Sequence, residues 1–170
     1  MTNIEYELNE KIHAIIINPY LSWEDFCTNC VLIKKYNIKN ISTSLNYLDD
    51  FKNCLSNYSA NINALISYPL ADLPVSIIIN KSKLQEEVFI NAIEISLELG
   101  IKNFQFGDGF GPTITSNDVA EILKIIGSEN QIKVVGGIKK LKQVIDLFEM
   151  GISCVGTSNF CEIFQEVKVI

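Results

Sequence analysis

The chain has 170 residues, a net charge of −6 and an apolar content of 48%, which together predict one globular domain with a sizeable hydrophobic core. The negative charge argues against broad binding to nucleic acids or to anionic membranes. All the basic residues are lysines, so a phosphate site would depend on backbone N–H groups, hydroxyls and ammonium groups, without the bidentate guanidinium of arginine.

Strand-like runs alternate with helix-like runs along the chain. The predicted strands are 12–17, 40–44, 62–67, 75–80, 103–106, 131–135 and 153–157. The predicted helices begin at Ser22, near Asn46, at Ser82, at Thr115 and near Lys140, and a short helix ends the chain. Because parallel neighbours need a crossover of helix length, this alternation predicts a parallel sheet.

One place breaks the rhythm. Only residues 68–74 separate the third and fourth predicted strands, and Pro69 and Pro74 in that stretch exclude an ordinary helical crossover. Seven strands are therefore predicted with only six helices. Either the two flanking strands are not parallel neighbours, or a segment has been removed.

The location of the chain is predicted from its N-terminus and its cysteines. Residues 1–10 are polar and acidic, which is unlike a secretory signal, and no apolar run approaches the ~20 residues of a membrane span. The odd number of cysteines, five, then indicates reduced cytoplasmic thiols. Cys27 and Cys30 form a CxxC that is either a metal-binding or redox pair or only part of a helix. The second interpretation is favoured, and we expect no metal and no cofactor.

Three motifs in the second half of the chain carry a resemblance to a known family. Residues 100–111 read GIKNFQFGDGFG, residues 133–138 read KVVGGI, and residues 151–158 read GISCVGTS. They resemble, in the same order and spacing, G-A-D-F-I-K-T-S-T-G-F, K-x-A-G-G-[IV] and G-A-x-R-I-G-[TA]-S of the deoxyribose-phosphate aldolase family. The resemblance covers residues 75–165 well and the first half of the chain more weakly.

The resemblance implies a TIM-barrel-like α/β fold over residues 1–170, as a single domain. The family barrel has eight strands in about 220 residues or more, and the shortfall of this chain coincides with residues 68–74. We therefore expect about seven strands, one βα unit missing, and a distorted or open barrel. Completion by a second chain, as a homo-oligomer, is left open.

The resemblance also implies a rewritten reaction centre. Family members use a lysine Schiff base, a second lysine that lowers the pKa of the first, and aspartates that move protons. Gln105 stands at the nucleophile position, and an amide cannot form an imine. Lys133 matches the second lysine, His13 replaces the first-strand aspartate, and Ser44 replaces the second-strand asparagine. The fourth-strand aspartate has no counterpart.

The positions that hold the substrate phosphate in the family survive better. In this sequence they are Gly109, Gly136, Gly137, Ser158 and Asn159. Glycine lets the backbone approach an anion, and loops after the last two strands are the usual phosphate site of such barrels. Asp108, beside Gly109, would repel a phosphate. The glycine pair could also be only a turn, and Lys133 could point outward or pair with Asp108.

Three functions follow. The favoured one is a divergent aldolase-like enzyme acting on a small carbonyl compound, with or without a phosphate group, in which Lys133 is the nucleophile or an electrostatic anchor. His13 or Asp108 would move protons, although a lone histidine on an apolar strand is more often part of the core. The second is a catalytically inactive ligand-binding or assembly protein, and the third is an isomerase or cyclase on the same scaffold.

Overall fold

In the computed structural model, residues 3–18, 20–65, 76–110, 112 and 114–168 are described. Seven strands and seven α-helices alternate along these residues. The strands are β1 Ile12–Ile16, β2 Asn40–Ser44, β3 Asn61–Leu65, β4 Ser76–Ile79, β5 Asn103–Phe106, β6 Gln131–Val135 and β7 Cys154–Thr157. The helices are α1 Asn3–Lys11, α2 Trp23–Lys35, α3 Leu48–Cys54, α4 Glu86–Glu98, α5 Ser116–Ile126, α6 Leu141–Glu149 and α7 Phe160–Val167.

The chain divides into two compact units. The first contains the described residues of Met1–Tyr68, Lys139–Leu141 and Thr157–Ile170. The second contains those of Pro69–Ile138 and Lys142–Gly156. The predicted single domain stays a prediction. No α-helix in the described ranges combines the length and the apolar character that crossing a bilayer requires.

The first unit is built on the parallel strands β1, β2 and β3, with β2 in the middle. Side chains alternate between the two faces of a strand, and most of the apolar residues of β1 and β2 lie on one of them. Ile12, Ala14 and Ile41 there are fully buried. The ring centroids of Phe26 on α2 and Phe51 on α3, both buried, lie 4.6 Å apart. This aromatic pair belongs to the core of the unit.

The second unit contains a parallel sheet in which β4, β5, β6 and β7 follow one another in order. Phe104 and Phe106 of β5 are fully buried on the same face. The ring of Phe106 lies 5.9 Å from that of Phe89 on α4, so this face of β5 is the one covered by helix. Val134 of β6 is the register partner of Phe106, Val155 of β7 is the register partner of Val134, and both are also buried.

Local signals predicted several element boundaries correctly. The Ser22 hydroxyl accepts a hydrogen bond from the Asp25 amide at 3.1 Å, and Thr115 and Asp118 form a complete capping box. Asn37 has the left-handed conformation expected of a residue that ends a helix, with φ +54°. These signals depend on neighbours within four residues, which is why they can be recognised in the sequence.

Other boundary predictions were wrong or fall outside the described residues. The helix predicted from Ser82 begins at Glu86, because Lys81–Lys83 form a 3-10 turn in which the Ser82 hydroxyl donates to Asn80 Oδ1. Helix α1 was not predicted. Residues 66–75, which contain the rhythm break and the outer ends of two predicted strands, lie outside the described residues.

Gly107 provides a test of packing at the carboxyl end of β5. It has φ +91°, and a Cβ atom added to it would overlap the carbonyl oxygen of Val135. We predict that Gly107→Ala lowers the free energy of unfolding by about 3 kcal/mol, because strain in φ adds to overpacking. Gly100→Ala is the control, since it has φ +76° but open space around the added atom, and it should cost about 1 kcal/mol. Urea denaturation of both variants measures the difference, and equal losses would contradict the proposed clash.

Candidate functional site

Three polar side chains lie side by side on the face of the second unit's sheet that points away from α4. Lys133 of β6 is the register partner of Gln105 of β5 on one side and of Cys154 of β7 on the other. Register partners in adjacent parallel strands point to the same side of the sheet, and the strands lie about 4.8 Å apart. Because Phe104 and Phe106 face the helix, Gln105 and its partners face away from it. We call these three residues the Gln105–Lys133–Cys154 row.

Lys133 is the residue of this row with unusual acid–base properties. Burial lowers the pKa of its ammonium group from 10.5 to about 8, and attraction to the Cys154 thiolate partly opposes the effect. At pH 7.4 about a fifth of such side chains carry a neutral amine, compared with about one in a thousand for an ordinary lysine. Lys133 therefore loses its proton closer to neutral pH than an ordinary lysine does.

Gln105 holds a fixed orientation beside Lys133. Its side chain is only 4% exposed, and its Nε2 donates a hydrogen bond to the carbonyl oxygen of Gly107 at 3.1 Å. The amide is neutral, so it places no opposite charge next to the Lys133 ammonium. Burial therefore dominates the pKa of Lys133.

Asp108 lies just beyond β5, and its carboxylate is held by other groups. Lys83 Nζ lies 2.6 Å from one carboxylate oxygen, and the Phe110 amide donates to the other at 2.9 Å. Chiefly through the hydrogen bond from Lys83, the pKa of Asp108 falls to about 2, so the group stays ionised at neutral pH. The alternative that Asp108 pairs with Lys133 gains no support from this geometry.

The candidate phosphate-binding residues are divided between the two units. Gly136 and Gly137 follow β6 with φ +108° and +68°, which favour glycine at both positions, and Gly109 follows β5 with φ +86°. These three glycines belong to the second unit, with the row and Asp108. Exposed Ser158, and Asn159 at the start of α7, belong to the first unit.

His13 and Ser44 belong to the first unit as well. His13 lies on β1, where its register partner is Asn40 of β2, and it is neither fully buried nor exposed. Ser44 ends β2, and its buried hydroxyl oxygen makes no hydrogen bond within the described part of the chain. The roles predicted for the residues of both units stay predictions.

A second polar cluster lies at the carboxyl ends of β4 and β5, and sequence reasoning did not single it out. Lys81 Nζ lies 2.6 Å from Asp118 and 2.7 Å from Glu121. Burial opposes ionisation of Asp118, but the bonds from Lys81 and Thr115 outweigh it and lower the pKa of Asp118 to about 2. A pocket of about 160 Å³ here is lined by Lys81, Asp108, Asp118 and six other residues, and Lys133 is not one of the residues that line it.

The sequence analysis also missed Cys154, the third member of the row. The one signal was in the third motif, where the family arginine is replaced by this cysteine. Within the described residues, no group of three or more histidine, cysteine or acidic side chains is arranged to hold a metal ion. Cys27 and Cys30 both lie on α2, as predicted, and both are free thiols.

Comparison with known proteins shows a likeness to the deoxyribose-phosphate aldolases over part of the chain. The deoxyribose-phosphate aldolase of Thermococcus kodakarensis is 33% identical over 92 residues, which cover 54% of this chain and 41% of the relative. That of Caldanaerobacter subterraneus is 33% identical over 98 residues, covering 57% and 42%. The chain is similar to the deoxyribose-phosphate aldolases over about half of its length. It matches less than half the length of these curated relatives, and no family profile matches it.

Solved aldolase structures match nearly all of the chain. A putative deoxyribose-phosphate aldolase from Coccidioides immitis superimposes with a TM-score of 0.84 at 13% identity, covering 99% of this chain and 87% of that one. The tetrameric deoxyribose phosphate aldolase from Aeropyrum pernix gives 0.78 at 12% identity, covering 96% and 92%. These matches confirm the TIM-barrel-like α/β fold with about seven strands.

The lowered pKa of Lys133 predicts how stability varies with pH. Between pH 8 and 10.5 the unfolded chain still binds a proton at Lys133 that the folded chain has released, so this group makes the folded state more stable as pH rises. We predict that Lys133→Met raises the free energy of unfolding by about 2 kcal/mol at pH 7, and that this gain shrinks as pH approaches 10.5.

Urea denaturation at pH 7, 8.5 and 10 measures the effect as the difference between wild type and variant. Lys142→Met is the matched control, because Lys142 lies on the surface of α6 and its side chain is 83% exposed. A gain from Lys133→Met that does not change with pH would contradict the assignment.

Proposed function

We propose that the chain is an aldolase-like enzyme in which Lys133 forms a Schiff base with a small aldehyde or ketone. The observation that carries the proposal is the partly buried Lys133 amine, whose pKa is lowered to about 8 in the Gln105–Lys133–Cys154 row. The kinship with the deoxyribose-phosphate aldolases supports carbonyl chemistry of the lyase type. The ordinary reaction of those relatives is not proposed, because Gln105 replaces their nucleophilic lysine.

The surroundings of Lys133 suit the formation of an imine. A neutral amine attacks the carbonyl carbon, and loss of water then leaves a positively charged iminium ion. A negative charge on Cys154 raises the pKa of Lys133, and the same charge would attract this iminium ion. Gln105 presents a neutral amide on the other side of Lys133, so it imposes no charge on either step.

The proposed reaction also needs a group that gains and releases a proton near neutral pH. Asp108 is ionised and held by Lys83, so it is a weak base and no acid at neutral pH. A histidine exchanges protons near neutral pH, and the proton-transfer role of His13, in the first unit, stays a separate prediction. The phosphate of a phosphorylated substrate would bind to the backbone of Gly136 and Gly137, which belong to the same unit as Lys133.

Reductive trapping tests the nucleophile. We expect sodium borohydride to fix D-glyceraldehyde or its 3-phosphate covalently on Lys133, because hydride reduces an imine to a stable secondary amine. Trapping should rise with pH to a half-maximum near 8, where the amine loses its proton. Peptide mass spectrometry locates the modified residue, and the ratio of the two aldehydes measures the contribution of the phosphate.

The controls separate the enzyme from the inactive alternative. Lys133→Met should lose the trapped adduct, whereas Lys142→Met should retain it. Equal modification of Lys133 and of surface lysines would reject the Schiff-base proposal. Thermal stabilisation by an aldehyde or a sugar phosphate, without trapping or turnover, would instead favour a ligand-binding protein that has lost catalysis.

We also propose that the chain forms a homo-oligomer through α4. This helix exposes a stripe of large apolar side chains, Val88, Ile95 and Leu99, which are 48%, 55% and 75% exposed. Their spacing of seven and four residues places them on one side of the helix. A second copy of the chain is the proposed partner, in keeping with the tetrameric aldolase from Aeropyrum pernix.

Light scattering after gel filtration tests the assembly. We expect a mass that is a multiple of the 19.1 kDa chain, and we expect Ile95→Lys to reduce it to one chain by placing a charge in the interface. Val31→Lys on α2 is the control, because Val31 is similarly exposed but belongs to another helix. A wild-type protein with the mass of one chain would contradict the proposal.

A further inference from the structure

Cys154 is a second nucleophilic side chain, on the strand next to the proposed Lys133 imine. It begins β7 directly opposite Lys133, on the same face of the sheet, and neither side chain is fully buried. Cys154 forms no disulfide, and an electrostatic interaction links it to Lys133. Gln105, on the other side of Lys133, offers no comparable nucleophile.

We propose that Cys154 adds to the carbon of the Lys133 iminium ion, so that the pair holds a small aldehyde as an N,S-acetal. This inference rests on the proposed function of Lys133 and gives the same site a second reactive group. The inference also indicates that the substrate is an aldehyde. An aldehyde carbon carries a hydrogen atom, so it is less crowded than a ketone carbon and can bond to both the nitrogen and the sulfur.

The steps balance without an oxidant or a reductant. The neutral Lys133 amine adds to the aldehyde carbon, and the resulting carbinolamine takes up a proton and loses water to form the iminium ion. The Cys154 thiol gives its proton to solvent, and the thiolate forms the carbon–sulfur bond while the C=N pair of electrons moves to nitrogen. The sum is one aldehyde, one amine and one thiol giving one N,S-acetal and one water.

The register of β6 and β7 holds the Lys133 amine and the Cys154 thiol close together, which favours N,S-acetal formation over the same reaction of separate thiols and amines in solution. Strand neighbours are held about 4.8 Å apart at the backbone, so the thiol meets the iminium carbon without a further encounter in solution. Such intramolecular additions have high effective concentrations. The reversible N,S-acetal would retain the aldehyde at the site and protect it from surface amines.

Thiol labelling provides a test that needs no variant for its main result. Wild-type protein is treated with propanal and then with N-ethylmaleimide, and peptide mass spectrometry follows labelling of each cysteine. We expect propanal to slow labelling of Cys154 about tenfold, and we expect no such protection in Lys133→Met. Cys161 is the internal reference, because burial raises the pKa of its thiol to about 11 and it lies on α7 in the other unit.

Intact mass without borohydride is the second measurement. Wild type should retain an adduct of propanal minus one water through rapid gel filtration, and Cys161→Ser should retain it too. Cys154→Ser should lose this adduct but keep the adduct trapped by borohydride, and Cys154→Ala serves if the serine variant does not fold.

The outcomes distinguish the two proposals. Trapping on Lys133 with unchanged labelling of Cys154 overturns the N,S-acetal and leaves the proposed function intact. If borohydride traps no adduct on Lys133 and propanal does not protect Cys154 from labelling, both the proposed function and the N,S-acetal are overturned. Protection of Cys154 that persists in Lys133→Met indicates a simple hemithioacetal, and it also overturns the inference.

Discussion

The chemistry proposed for this protein depends on the register of three neighbouring parallel strands. That register places the Lys133 amine between an amide and a thiol, with no carboxylate as a register partner on either side. An aspartate in either place would hold the ammonium charged and raise its pKa. With Gln105 and Cys154 there, the loss of hydration dominates and the pKa falls. Both the proposed imine and the proposed N,S-acetal follow from this arrangement.

The other lysines near the strand ends have the opposite environment. Lys81 and Lys83 are held by carboxylates at 2.6 Å, and Asp118 and Asp108 each have a pKa lowered to about 2. These ammonium groups already have partners and would bind an incoming anion weakly. Lys81 and Lys83 are therefore poor candidates for a phosphate site, and the expectation that backbone N–H groups, hydroxyls and other ammonium groups form one stays a prediction.

The comparison with the aldolases separates fold from chemistry. A TM-score of 0.84 at 13% identity shows that the architecture tolerates almost complete change of sequence. This likeness concerns the fold alone, and the expectation that Gln105 stands at the nucleophile position stays a prediction. Since one fold hosts many reactions, the function has to be argued from Lys133 and its neighbours.

The sequence by itself determined the elements whose signals are local. The caps at Ser22 and Thr115 and the left-handed Asn37 depend on contacts within a few residues, and the three motifs were sufficient to indicate the family. The helix start predicted at Ser82 was wrong, because the Ser82 hydroxyl donates a hydrogen bond to Asn80 instead of capping α4.

Only the tertiary structure decided which side chains of the site meet. Lys133 and Cys154 are 21 residues apart, and their pairing is set by the register of β6 and β7. The close approach of Gly107 to Val135 and the lowered pKa of Lys133 arise in the same way. Register and burial are decided by packing between distant segments, which no local pattern records.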